Sequence, residues 1–374
     1  MTASASTRCR RVISCQLSVS SVALFVAVIF AGLSVGQTNS ASPGAPGKIP
    51  ASGASISGAS IALHATSTMN VASEMGGAFM SGSKCDADGN LYIPKFAVDR
   101  PLLGPVVKID GEGKRTALFD PAVFPQLALD RADAFSPASD GGIYQIAQSG
   151  VVKARIYVLR FSSNGSAASP TRVDADFEVY TFAAFADGNF LLSGVQRDVQ
   201  NRNDRGRNRT AVFSADGREL AQLSFQESGG PRKAGAKSDT QKDAEKPAPA
   251  LDLADAEAGS DGNLYVMRAS SPALVYVIAP HGKIVHTLKV AGPPGSVPGA
   301  FHVSGNRLAI SFENEESESQ TMVVADAQTG RKIASYADPS GLGTFACYDA
   351  NEEVFSFLNL GEGNALEVIR AEAQ

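Results

Sequence analysis

Between residues 261 and 288 short apolar runs alternate with glycine turns. Asp261-Gly262-Asn263 leads into Leu264-Tyr265-Val266-Met267, a second run covers Leu274-Val275-Tyr276-Val277-Ile278, and His281-Gly282 leads into Ile284-Val285-His286-Thr287-Leu288. Gly and Asn tolerate the positive φ of tight turns, so the pattern predicts three consecutive antiparallel strands. The middle run is apolar at consecutive positions rather than alternate ones, which marks a strand covered on both faces.

The unit repeats. Its first turn recurs at Asp88-Gly89-Asn90, Asp140-Gly141-Gly142, Asp187-Gly188-Asn189 and Asp261-Gly262-Asn263, with weaker forms at Gly305-Asn306 and Asn351-Glu352. From Gly89 through Gly141, Gly188, Gly262 and Gly305 to Glu352 the steps are 52, 47, 74, 43 and 47 residues. Four of the five fit the roughly 40–50 residues of a propeller blade. The long step holds a Lys/Ala/Gly/Pro-rich insert, 227–250, read as disordered. The second turn keeps its place in the first five units, at Gly111-Glu112-Gly113, Asn164-Gly165, Asp216-Gly217, His281-Gly282 and Thr329-Gly330, each after a short β-rich run.

These motifs, Asp-Gly-Asn-Leu-Tyr-Val followed by a β-rich run and then His281-Gly282-Lys283 or Asp216-Gly217-Arg218, resemble the NHL-type six-bladed β-propeller superfamily over residues 61–373. The resemblance implies an all-β fold: six blades of four antiparallel strands. The last unit ends on its third strand, so the segment around Ser60 to His64 is expected to supply the missing outer strand and close the ring. Relatives in that superfamily include sugar-lactone hydrolases, lyases and interaction modules, so fold alone does not select a function.

The start of the chain changes the picture of where this protein works. Arg8, Arg10 and Arg11 precede an apolar run, 22–33, and then Ser34-Val35-Gly36. That is the order of a signal peptide, assigned to residues 1–36, with an uncleaved anchor as the alternative. Residues 37–59, mostly Ser, Gly, Ala and Pro, read as a flexible linker, and 60–374 as the propeller. The expected location is therefore periplasmic or extracellular, with no membrane span after cleavage. A net charge of −5, from 33 basic and 38 acidic residues, excludes a general nucleic-acid binder. The expected state is a monomer.

With strands a to d running outward from the axis, the a–b and c–d turns share one face and the longer b–c and d–a connections share the other. The latter include 120–131, 194–209, 227–250, 291–299 and 313–320. Long connections on a rigid scaffold commonly bind partners, so a protein, peptide or carbohydrate is expected there. The 194–209 connection carries Arg197, Arg202, Arg205, Arg207 and Arg209 against Asp198 and Asp204. Such a cluster can grip carboxylate, phosphate or sulfate, or be simply a solvated hairpin. The 313–320 connection carries four glutamates.

Counting back from the first turns places Asp133, Thr181, Asp255, Glu257, His302 and Thr344 on the inner strands. Converging carboxylates there could hold a Ca²⁺-like divalent cation, as a lactonase-type hydrolase or lyase would require; polar, hydrated channel lining is the competing reading. With only four histidines, two of them on outer elements, a three-histidine zinc centre is not expected. The favoured reading is a binding or scaffold module, with the metal-dependent enzyme as alternative. Loss of the leader would leave Cys85 and Cys347, each just before a first turn, one in the first unit and one in the sixth. In a closed ring these units are neighbours, so a disulfide between them is expected, against two separate buried thiols.

Overall fold

The computed structural model describes residues 60–374 apart from 77–78, 80–81, 151–154, 176, 197–205, 226–252, 315, 318, 339–340 and 374, and apart from the side chains of Asp133 and Asn364. The leader and linker assignments, the 227–250 insert, Arg202 and Arg205 fall outside the described residues.

The described residues are all-β but for short helical turns. The first strand, β1 (Ile61–Asn70), is followed by β2 (Lys84–Cys85), β3 (Leu91–Pro94), β4 (Val106–Ile109) and β5 (Arg115–Phe119), which form a four-stranded sheet in that order. The next three sheets repeat the arrangement. They are β6 (Arg131–Pro137), β7 (Ile143–Ser149), β8 (Arg155–Phe161) and β9 (Thr171–Val173); β10 (Glu178–Ala184), β11 (Phe190–Gln196), β12 (Arg207–Phe213) and β13 (Glu219–Leu223); and β14 (Leu253–Ala258), β15 (Leu264–Arg268), β16 (Ala273–Ile278) and β17 (Ile284–Val290).

The remaining strands are β18 (Val297–Ser304), β19 (Arg307–Asn314), β20 (Ser319–Asp326), β21 (Lys332–Asp338), β22 (Thr344–Asp349), β23 (Val354–Leu360) and β24 (Leu366–Ala373). With β1 they form one eight-stranded sheet in the order β18-β19-β20-β21-β1-β24-β23-β22. Within it β1 runs antiparallel to β24, from Leu63↔Ala373 to Asn70↔Glu367, and meets β21 in parallel at Ile61↔Tyr336. The first strands touch one another in turn, β2 to β6, β6 to β10, β10 to β14, β14 to β18 and β18 to β22, and β22 returns to β2. This is a β-propeller-like architecture.

Burial follows the same radial order. The third strand β16 is buried at every position, whereas the outer strand β17 is exposed at Val285, His286, Thr287 and Lys289. Apolar clusters fill the space between successive sheets. Val275 and Val277 of β16 pack with Leu308 and Ile310 of β19, and Leu91 and Val107 pack with Leu358 and Val368 across the junction of the last and first units.

The turns explain the glycine pattern. Gly89, Gly141, Gly188 and Gly262 take φ of +75° to +86°. In three of these turns the aspartate just before the glycine closes the turn with its own side chain. Asp140 Oδ1 accepts from the Gly142 amide at 3.0 Å, Asp187 Oδ1 from the Asn189 amide at 3.0 Å and Asp261 Oδ1 from the Asn263 amide at 3.1 Å. In the last unit the left-handed position falls on Glu353, φ +56°, one residue beyond the Glu352 that the repeat spacing points to. The 313–320 connection is also shorter than expected: Glu313 and Asn314 lie on β19 and Ser319 and Gln320 on β20, paired across the ladder.

Candidate functional site

Five first strands carry a β-bulge, and the bulges fall beside the residues nominated from sequence. The register shifts between Ala132 and Phe135, Val179 and Thr181, Leu253 and Asp255, Pro298 and Phe301, and Phe345 and Cys347. An extra residue re-aims the side chains that follow it. Simple alternation along these strands therefore does not give the direction of Asp255, His302 or Cys347.

Lys84, Cys85, Asp255, Glu257, His302 and Cys347 meet in one buried polar cluster. Lys84 Nζ lies 2.8 Å from Asp255 Oδ1 and donates to the Ala256 carbonyl at 2.8 Å. In the succession of first strands β2 and β14 are three steps apart, so the Lys84 side chain bridges elements on opposite sides. Asp255 also accepts from the Ala256 amide at 2.7 Å. Glu257 Oε2 lies 2.9 Å from His302 Nδ1 and accepts from the Val303 amide at 3.0 Å. Cys85 Sγ lies against the same imidazole, 3.2 Å from Nε2 and 3.5 Å from Nδ1. Cys85 and Cys347 form a disulfide with a Cα–Cα distance of 5.7 Å, within the range a disulfide tolerates.

The side chains of Lys84, Glu257 and His302 are 8%, 9% and 5% exposed, and that of Asp255 is 33% exposed. Burial acts first on each charge. It disfavours the Lys84 ammonium, but Asp255 and Glu257 outweigh it and hold its pKa above the ordinary lysine value. Burial would raise Glu257; His302, Lys84 and the Val303 amide overrule it and hold the carboxyl below its usual range. Asp255 is pushed up, by burial and by the nearby Glu257 carboxylate, against the pull of Lys84. The two carboxylates thus have protein cations or donors at hydrogen-bond distance.

Of the residues singled out from sequence, the structure brings together Asp255, Glu257, His302, Cys85 and Cys347. Asp133 lies at the β6 bulge. Arg207 is exposed at the start of β12, away from this cluster, opposite Gln196. Arg209 is engaged by Glu219 at 2.6 Å and stacks over Phe177. Thr181 is buried and Thr344 exposed. Sequence reading missed Lys84. Its only signal was a lysine adjacent to Cys85 on a strand with buried neighbours.

A second polar network lies on the tight-turn side. The Tyr92 hydroxyl sits 2.9 Å from Asp86 Oδ2 and 3.0 Å from the Gly141 carbonyl, and Lys108 lies 3.2 Å from Asp86. Burial and the Asp86 charge raise the Tyr92 phenol, so it stays a hydrogen-bond donor tying adjacent sheets together. A shallow cleft on this side is lined by Tyr265, Val277, Val285, His286, Gln328 and Thr329, among others.

No protein-family model matches this chain, and no curated protein matches it. Among solved structures it is similar to a protein of unknown function from Bacteroides caccae, at 11% identity over 68% of this chain and 80% of that one, with a TM-score of 0.43. It is also similar to the Dos1 propeller, at 10% identity over 76% and 75%, TM-score 0.39. A structure described as a nidogen/laminin complex matches at 12% identity over 67% and 76%, TM-score 0.37. The strand order and ladder registers, rather than these distant likenesses, carry the fold. A propeller is consistent with a binding or scaffold module. No helix among the described residues is long and apolar enough to cross a membrane.

Proposed function

We propose that this chain is an exported, monomeric, six-bladed propeller of the NHL type that serves as a binding or scaffold module of the cell envelope. The six-blade count treats the eight-stranded sheet as two blades that share an interface at β1, with β1 as the outer strand of the last blade and the lock of the ring. The uninterrupted succession of first-strand contacts supports this count. Export rests on the basic and apolar order of residues 8–36.

One observation favours the binder over the lactonase-type enzyme: Lys84 and His302 already sit on Asp255 and Glu257. A hard cation needs several free oxygen ligands, and here an ammonium competes for the same carboxylates. The partner is then held at the rim opposite the tight turns, where Arg207 at the start of β12, with Arg202 and Arg205 of the preceding connection, would grip a carboxylate-bearing saccharide or acidic peptide.

Polygalacturonate titrated into the full chain by calorimetry tests this reading. Binding that weakens about tenfold or more in the Arg202→Ala/Arg205→Ala/Arg207→Ala variant is expected, since each charge-assisted bond is worth about 1.5–3 kcal/mol. Equal affinity in both proteins would refute the arginine rim. A Ca²⁺-dependent lactone hydrolysis by the wild-type chain would instead favour the enzyme.

A further inference from the structure

The Cys85–Cys347–His302 cluster has a second chemical use. Its three ligand atoms all lie within 4.8 Å of one another, and all three residues are buried. Glu257 Oε2 holds Nδ1 at 2.9 Å, and Cys85 Sγ lies beside the ring, 3.2 Å from Nε2 and 3.5 Å from Nδ1, so a modest turn of the imidazole aims Nε2 at an ion between the sulfurs. Carboxylate-to-histidine support of this kind fixes the ring and the tautomer in metal sites.

We propose that, once its disulfide is reduced, this cluster is a binding site for a soft divalent ion of the zinc type, held by Cys85, Cys347 and His302 with Glu257 orienting the imidazole. The disulfide and the metal are then alternative cross-links between the same two strands, β2 and β22.

The chemistry balances with a dithiol as reductant. Its two thiols give up two electrons and two protons and become a disulfide; the Cys85–Cys347 bond breaks and each sulfur ends as a thiol. Metal binding then displaces those two protons to solvent, and two thiolates neutralise the ion's charge. A tetrahedral zinc with Zn–S of about 2.3 Å and Zn–N of about 2.0–2.1 Å places its sulfurs about 3.8 Å apart. Rotation of the two cysteine side chains supplies that separation while the Cα atoms stay near their 5.7 Å spacing. Two thiolates and one imidazole suit zinc or cobalt far better than calcium or magnesium.

The test uses the full chain carrying Cys9→Ser and Cys15→Ser, so that only the two cluster cysteines remain. The protein is reduced with dithiothreitol, desalted anaerobically and titrated with Co²⁺. One Co²⁺ per chain is expected, with thiolate-to-metal charge-transfer absorption and tetrahedral visible bands that Zn²⁺ abolishes; the unreduced protein should show neither. Glu257→Gln should weaken binding about 10–100-fold, and His302→Ala should weaken it further and alter the visible bands. A reduced, folded chain that takes up no metal would overturn the proposal, and so would unchanged affinity in His302→Ala. If reduction alone unfolds the chain, Zn²⁺ is expected to restore its native circular dichroism, and failure to do so overturns the proposal as well.

Discussion

Replacing Lys84 by Met removes the cation from the centre of the polar cluster while keeping most of the side chain's volume. The variant loses the 2.8 Å contact to Asp255 and the 2.8 Å hydrogen bond to the Ala256 carbonyl. Removing one partner of a fully buried ion pair costs about 3–5 kcal/mol, mostly because the other charge is left behind. Asp255 keeps 33% exposure, so water softens the loss and about 2–4 kcal/mol is the appropriate range. A domain of this size unfolds with an entropy of about 0.6 kcal/mol per degree, which converts that loss to roughly 3–6 °C in Tm. Adding Asp255→Asn to Lys84→Met removes the stranded charge and should recover part of the loss. Thermal melts and denaturant titrations of the wild type, the two single variants and the double variant measure the coupling. A Lys84→Met melt within 1 °C of wild type (a change of less than about 0.6 kcal/mol), or a double variant less stable than Lys84→Met, would refute the reasoning.

Other consequences follow from the same contacts. Glu353 occupies a left-handed turn position, φ +56°, so Glu353→Gly should stabilise the chain by about 0.5–1 kcal/mol, read as a higher denaturant midpoint; a lower midpoint would contradict this. The Cys85–Cys347 bond spans 262 residues, and the Cys85→Ala/Cys347→Ala variant should lose up to about 5 kcal/mol on denaturant unfolding, with unchanged stability the contrary result. Lys84's raised pKa means that its contribution is fully present below the ordinary value of 10.5 and is lost as pH rises through the higher folded value. Glu257 is depressed, so its contribution is present above 4.5 and is lost as pH falls through the lower folded value, while raised Asp255 works in the opposite sense on that limb. Melting temperature against pH should therefore show the wild-type advantage over Glu257→Gln narrowing below pH 4.5; a constant gap would contradict the assignment.

The repeat was legible in the sequence because its turns impose a local requirement. Gly141, Gly188 and Gly262 take positive φ, and the aspartates before them close the turns with their own side chains. The consecutive apolar positions of β16 likewise report burial on both faces. The polar cluster was legible only in part. Position in the repeat put Asp255, Glu257 and His302 on first strands, but bulges decide where such side chains point, and nothing local marks a bulge there. Lys84 escaped notice because its partner lies 171 residues away and on a non-adjacent strand. The sixth turn was found at Asn351-Glu352, but with no glycine to mark the left-handed position the spacing pointed one residue short of Glu353.

Asp255 and Glu257 are committed to Lys84 and His302 rather than left open for a catalytic cation. A crystal structure of the oxidised protein grown in millimolar CaCl₂ tests it most directly. Lys84 Nζ is expected within hydrogen-bond distance of Asp255 and His302 Nδ1 within hydrogen-bond distance of Glu257, with no ion between the carboxylates. A calcium ion coordinated by Asp255 and Glu257, with Lys84 displaced, would contradict it.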